Sequence, residues 1–379
     1  MSYILHSFDR IMGFGHPGRA LLARIGQFLL LAQVLLTVQA HPFHNHSIAY
    51  TGEDNHLNTF VERASASEFT ALSRNTKMLV HNSCTSKMNL QAWQTVLDAL
   101  TVVAQHGQQT ASVTYQIIDY YISTDNPTLN DDNRRMMDLF MTLYGTFKWD
   151  DVSAKTVARA RAQRLSEIAT IFANGLAKNT MHWRWMCDSK EWVVDPNDAN
   201  AWMIKNMDLS PRGTKKTSNI CLMPADSNGV ERSAAAFVLD APRDVANYQP
   251  DWITFCDGAW SELKYQMHQY LDQASVTKLH TQKSWIQSVI YYTWERLLAH
   301  ELFHGKAAFG AYAGIDYKYG WNDIVQLAKD SNGETDVNKH KPLKNNDSFS
   351  YWLNGVYLTY CNFSNGQCKP VSQPTTGNP

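Results

Sequence analysis

Apolar residues follow two periods along this chain. Leu90, Trp93, Val96, Leu97, Leu100 and Val103 recur at steps of three and four, the spacing that lines one face of an α-helix. The same pattern predicts helices over 111–122, 132–144 and 152–174, the last burying Val157, Leu165, Ile168, Ile171 and Phe172. Alternation then takes over in His182-Trp183-Arg184-Trp185-Met186-Cys187, followed by short apolar runs at 219–223 and 236–239. These predict a small sheet, and the intervening loop with Pro211, Arg212, Gly213, Lys215 and Lys216 reads as a solvated turn. Helical spacing returns at 259–273 and 284–304. Helices, then strands, then helices predict an α+β domain.

Near the N-terminus lies a different pattern, an apolar run over 25–38 preceded by Arg10, Arg19 and Arg24 and followed by Val38-Gln39-Ala40. It is too short to span a bilayer, which needs about 18 or more apolar residues, and reads as a secretory signal over 1–40. Met12 opens a more ordinary signal than Met1, and an uncleaved signal anchor is the alternative. Residues 41–80, beginning His41-Pro42-Phe43-His44-Asn45-His46, lack a sustained period and are expected to be an N-terminal arm or propeptide. The main domain is expected over 81–368, and 369–379, rich in Pro, Thr, Gly and Asn, as a disordered tail.

Composition narrows the function classes. In 379 residues, 44% are hydrophobic and 18% charged, which excludes wholesale disorder. The net charge of -1 offers no footprint for nucleic acid. Removing residues 1–40 takes away three arginines and one aspartate, leaving 31 basic against 34 acidic residues. A secreted, extracellular chain with no stable membrane association after signal removal is expected. Its six cysteines, Cys84, Cys187, Cys221, Cys256, Cys361 and Cys368, then read as three disulfides, with Cys361–Cys368 the best local pair. Sequons at Asn45, Asn346 and Asn362 fit a glycoprotein.

The residues that carry chemistry are His300-Glu301-Leu302-Phe303-His304, an H-E-x-x-H motif. Four residues apart on a helix, two imidazoles meet one Zn2+, and the glutamate stands beside them to act on water. Ile286, Val289, Ile290, Thr293 and Leu297 continue the helical spacing into the motif, and Gly305 supplies a stop. A histidine six residues after His304 would make a metzincin, but Gly310 stands there. A third ligand is required; Asp316, Asp323 and Glu334 are the candidates.

Downstream run Gly314-Ile315-Asp316-Tyr317-Lys318-Tyr319-Gly320 and Asn345-Asn346-Asp347-Ser348-Phe349-Ser350. H-E-x-x-H followed by D-x-x-Y-G and N-x-D-S-aromatic resembles the aspzincins, the deuterolysin and peptidyl-Lys metalloendopeptidases secreted mainly by fungi. Weaker landmarks, among them Tyr144-Gly145-Thr146, Cys187-Asp188 and 219–224, extend the resemblance over roughly 84–365. The resemblance implies a zincin-like fold, one zinc per chain on His300, His304 and Asp316, and Glu301 as general base. It implies further that Tyr319 stabilises the oxyanion and that Asp347 binds a basic substrate side chain on the leaving side. Ser350 stands where lysine-specific members carry a glutamate. The expected partners are protein or peptide substrates. The rival reading is a catalytically silent secreted zinc-binding or surface protein, against which the intact Glu301 argues. The sequence does not fix the oligomeric state.

Overall fold

The computed structural model describes residues 68–204, 213–214, 221–223, 232–239, 250–262 and 273–371. All lie in the compact unit Val61–Pro379. The expected signal, the arm up to residue 67 and the tail beyond residue 371 lie outside the described residues.

The fold is mixed α+β. Strands β1 (Phe69–Ala71) and β2 (Met78–His81) form an antiparallel pair. After them come the short helix α1 (Asn82–Thr85) and the long helices α2 (Leu90–Tyr120), α3 (Asp131–Tyr144) and α4 (Val152–Ala177). Each long helix opens on a side chain that accepts a backbone N–H: Asn89 from Ala92, Asn130 from Asn133 and Asp151 from Ala154. Such caps satisfy donors that have no partner within the helix.

Strand β3 (Trp183–Met186) follows, then β4 (Trp192–Asp195), β5 (Asp198–Ile204), β6 (Gly213–Thr214), β7 (Leu222–Met223), β8 (Arg232–Ser233), β9 (Ala236–Leu239) and β10 (Asp251–Phe255). The main sheet has the order β1-β2-β3-β10-β9, with β3 parallel to both β2 and β10 and β9 antiparallel to β10. Beyond it come α5 (Asp257–Glu262), α6 (Gln273–Thr281), α7 (Ile286–Ile290), α8 (Trp294–Phe303), α9 (Lys306–Phe309), α10 (Trp321–Asp330) and α11 (Asn346–Tyr357). The pair β11 (Cys361–Asn362) and β12 (Lys369–Pro370) closes the fold.

Side chains alternate across a strand, so the sheet separates two cores. Ile253 and Phe255 join the large helical core, whereas Trp252 joins a smaller cluster with Phe69, Met186, Trp192, Trp202 and Ile204. In the large core Trp93 of α2 meets Trp185, Phe255 and Trp294 at ring separations of 5.0 to 5.3 Å. This aromatic contact ties α8 to both the first long helix and the sheet. Gly107 lets α2 approach α11 closely, because a Cβ there would collide with Leu353.

Several expectations are corrected. The described fold begins ahead of residue 81, since β1 and β2 supply sheet edge and core positions such as Met78 and Val80. Strands of three and four residues are too short for a local pattern to reveal them. Lys369–Pro370, expected in the tail, pairs with Cys361–Asn362. The predicted helices over 90–103 and 111–122 are one helix, α2, and Gly213–Thr214 of the expected turn forms β6 against β5.

The three disulfides are Cys84–Cys187, Cys221–Cys256 and Cys361–Cys368, the last as expected. Among the described residues, no helix is long and apolar enough to cross a membrane.

Candidate metal centre

Helix α8 carries the H-E-x-x-H residues and is buried along its whole length. It does not continue from α7 as the apolar spacing predicts. The chain turns at Tyr291 and Tyr292, and the Thr293 hydroxyl caps the new helix by accepting the Arg296 N–H at 3.3 Å. A β-branched residue with a side-chain oxygen suits this non-helical position better than a helix interior.

His304 ends the helix, and the chain then doubles back through α9 and a 3-10 turn, Gly310–Tyr312. The Gly314 N–H donates to the Phe303 carbonyl at 2.8 Å, bringing the next residues beside the histidines. A side chain at Gly314 would collide with Asn346 and Phe303, so this close return needs glycine. Ile315 donates its N–H to the Lys344 carbonyl, while the Asn345 side-chain oxygen accepts from Tyr317 and Lys318 at 3.0 and 2.9 Å. The Asn346 amide donates to the His300 carbonyl at 2.7 Å. The start of α11 thus clamps the loop that carries Asp316 onto the helix that carries the histidines.

Asp316 faces both imidazoles: His300 Nε2 lies 3.1 Å from Oδ1 and His304 Nε2 lies 3.1 Å from Oδ2. One ligand atom from each of the three residues falls within 4.8 Å of the others. The alternative third ligands lie elsewhere. Asp323 belongs to the first turn of α10, and the Glu334 side chain accepts the Asp336 N–H.

The other ring nitrogens are also fixed. His300 Nδ1 lies 2.7 Å from Asp347 Oδ1, and His304 Nδ1 lies 3.2 Å from the Gly314 carbonyl oxygen. Both partners are acceptors in this setting, so both Nδ1 atoms carry hydrogen. With Nδ1 engaged in this way, each ring presents its Nε2 toward Asp316, the nitrogen a metal would take from it.

The electrostatics point the same way. Burial disfavours a charged His300, yet the hydrogen bonds it donates to Asp316 and Asp347 push its pKa up to about 10. Burial likewise opposes ionisation of Asp316, but the two histidines hold its carboxyl far below the usual carboxylate range. Two imidazole nitrogens and one carboxylate oxygen, each within 4.8 Å of the others, are a donor set suited to zinc. The residues present therefore fit a Zn2+ ion.

Glu301, next to His300, is buried, and burial raises its carboxyl pKa while His300 and His304 pull it down. Tyr319 stacks on His300 with ring centroids 5.9 Å apart and an interplanar angle of 22°. Burial of its hydroxyl and the adjacent Asp316 carboxylate hold the phenol protonated.

Asp347 stands differently from the expectation of an open substrate-binding acid. It is 0% exposed. Its Oδ1 accepts from Arg296 Nη2 as well as His300, and its Oδ2 accepts the Gly320 N–H at 2.7 Å. Burial opposes its charge, but Arg296 and the His300 hydrogen bond keep its pKa down at about 2. Asp347 therefore orients a histidine and is neutralised from within, leaving no room for a substrate cation. The sequence reading missed Arg296, which lies four residues before His300 on the same helical face.

The sequon at Asn346 is also corrected as a glycan site, since this residue is wholly buried and its amide is engaged. The amide of Asn362 donates to Asp138 at 2.8 Å, and Asn45 lies outside the described residues.

Among known proteins, no family model, curated protein or solved structure matches this chain.

Proposed function

We propose that this chain is a secreted zinc-dependent endopeptidase with a zincin-like domain, akin to the aspzincins it resembles in its motifs. The observation that carries the reading is the convergence of His300, His304 and Asp316 within 4.8 Å beside buried Glu301. The disulfides suit an oxidising compartment.

His300, His304 and Asp316 would hold the zinc ion, which would supply Lewis acidity toward a peptide carbonyl and acidify water. Glu301 takes the proton of the attacking water and returns it to the leaving amine, a role suited to a carboxylate whose pKa burial has raised. The protonated Tyr319 hydroxyl donates to the developing oxyanion. Asp347 and the Gly314 carbonyl hold the two imidazoles in the required tautomer.

The test is digestion of an unfolded protein by zinc-loaded chain beside Glu301→Gln. The variant is expected to retain one zinc per chain and lose about 10²-fold or more in turnover. Equal cleavage by both proteins would sink the mechanism, and no cleavage by a folded, zinc-loaded wild type would sink the function.

A further inference from the structure

We propose that the cavity between α3, α10 and the Cys361–Cys368 loop is a binding site for a neutral saccharide, with a pyranose ring stacked on Trp285. The cavity measures about 560 Å³, inside the range of ~300–1,000 Å³ that small-molecule sites occupy. It shares no residue with the His300, His304 and Asp316 cluster, and the endopeptidase reading makes no use of it.

Segments far apart in the chain build its walls. The Thr142 hydroxyl of α3 donates to the Ser364 carbonyl at 2.9 Å, and the Gly366 carbonyl accepts the Ile286 N–H at 2.8 Å. Trp285 pairs with Gln367 in an isolated β-bridge. Gly366 lies between two indoles: at φ +85°, a Cβ there would stand 2.5 Å from Trp321 Nε1 and 2.6 Å from the Trp285 ring. With the disulfide closing the loop, the wall is in place before a ligand arrives, and little ordering cost falls on binding.

The lining selects the ligand. Trp285 is 44% exposed, whereas Trp321 is 4% exposed. An indole left this open offers a large flat apolar face at low entropic cost. Around it Thr146, Asn322, Gln326 and Asn365 supply a hydroxyl and amides. Gln326 commits its amide nitrogen to Asp330, and Asn365 commits its amide oxygen to the Gln367 N–H, so the first offers an acceptor and the second donors. Lys329 is the one charged residue in the lining, and it includes no carboxylate. A cation would find no counter-charge there, and an anion only a single exposed ammonium, which is worth little. A wholly apolar ligand would strip water from the amides without replacing their hydrogen bonds. A pyranose meets both demands, because its C–H face covers an indole while its hydroxyls each donate and accept.

Two sources supply such a sugar. Asn362 opens a sequon two residues before Ser364 of the same wall, and its amide donates to Asp138, one turn before Thr142 on α3. The second amide hydrogen is the one a glycan linkage would replace. The other source is a glycan on a second molecule.

The experiment titrates full chain carrying Asn362→Gln, which has no sugar of its own at that site, with trisaccharides of glucose, mannose and N-acetylglucosamine. Calorimetry and tryptophan fluorescence read the binding, and at least one sugar is expected to saturate one site per chain. Trp285→Ala is expected to weaken that binding about 10-fold, and Asn322→Ala with Asn365→Ala by about as much. Trp285→Phe, which keeps a stacking face, should retain most of the affinity. Both asparagines are exposed, so their replacement leaves the fold intact should Trp285→Ala disturb it. Binding of none of the three sugars, binding unchanged in Trp285→Ala and in the double asparagine variant, or binding confined to sulfated or amine-bearing forms would overturn the inference. The chain with Asn362 in place separates the sources. Binding gained only when Asn362 is replaced identifies the chain's own glycan as the occupant, and equal binding by both identifies a glycan on another molecule.

Discussion

The Asp347 carboxylate accepts the Nδ1 hydrogen of His300 at 2.7 Å while pairing with Arg296, one helical turn earlier on α8. One buried acid thereby orients the His300 ring, a proposed metal ligand, and balances the charge of the helix that bears it. Asp347→Asn keeps the shape but leaves Arg296 buried without its counter-charge. Its expected cost is about 3–5 kcal/mol in stability and about 10–100-fold in zinc affinity. Urea unfolding and zinc titration read the two effects separately. Arg296→Met added to Asp347→Asn should restore much of the stability but not the zinc affinity; recovery of both would show that His300 needs no orienting acid.

Zinc should bind at one site per chain and depend on Asp316. Asp316→Asn is expected to lower affinity sharply, while Asp323→Asn and Glu334→Gln leave it unchanged, because neither joins the cluster with His300 and His304. Metal content after dialysis, measured by mass spectrometry, decides this. Loss of zinc in Asp323→Asn would reassign the third ligand.

The disulfides should differ in weight. Cys84–Cys187 spans 103 residues and Cys361–Cys368 spans 7. Chain entropy gives about 4.7 kcal/mol for closing the long loop and about 2.4 for the short one. Replacing each pair by alanine and comparing unfolding free energies tests the order. A larger loss from Cys361→Ala/Cys368→Ala would mean that native contacts, not loop closure, dominate.

His340 should make the fold acid-sensitive. It is fully buried, and neither ring nitrogen has a hydrogen-bond partner. Burial, with Arg161 nearby, lowers its pKa from 6.5 to about 3. Below pH 6.5 the unfolded chain takes up this proton and the native chain does not, so stability falls as pH drops through that window toward 3, by at most about 1.4 kcal/mol per pH unit. Between pH 7 and 5, His340→Leu should lose less stability than wild type in urea unfolding. Parallel slopes for the two proteins would show that His340 does not titrate between its folded and unfolded states as stated.

Local signals carried much of the site. The pair His300 and His304 needs only the helical repeat to share a face, and the run from Gly314 to Gly320 marks a loop that must come near them. The break at Thr293 was legible too, as a side-chain cap ahead of Trp294, but the uninterrupted apolar spacing outweighed it. Strand β10 escaped notice because all five of its residues are buried, so it shows no polar alternation. The hairpin β4–β5 was hidden by the tight turn at 196–197, which lacks a glycine.

By itself the sequence determined what depends on neighbours within a turn or two: the helices of the first half, the H-E-x-x-H face, the short Cys361–Cys368 pair and the α+β order. Only the tertiary structure decided what depends on distant residues meeting. The pairing of β3 with β2 and β10, the Cys84–Cys187 bridge and the closure of Arg296 on Asp347 all join segments far apart in the chain. An acid's role follows from what surrounds it, and Asp347 looks the same in sequence whether it waits for a substrate cation or is already neutralised by an arginine 51 residues before it.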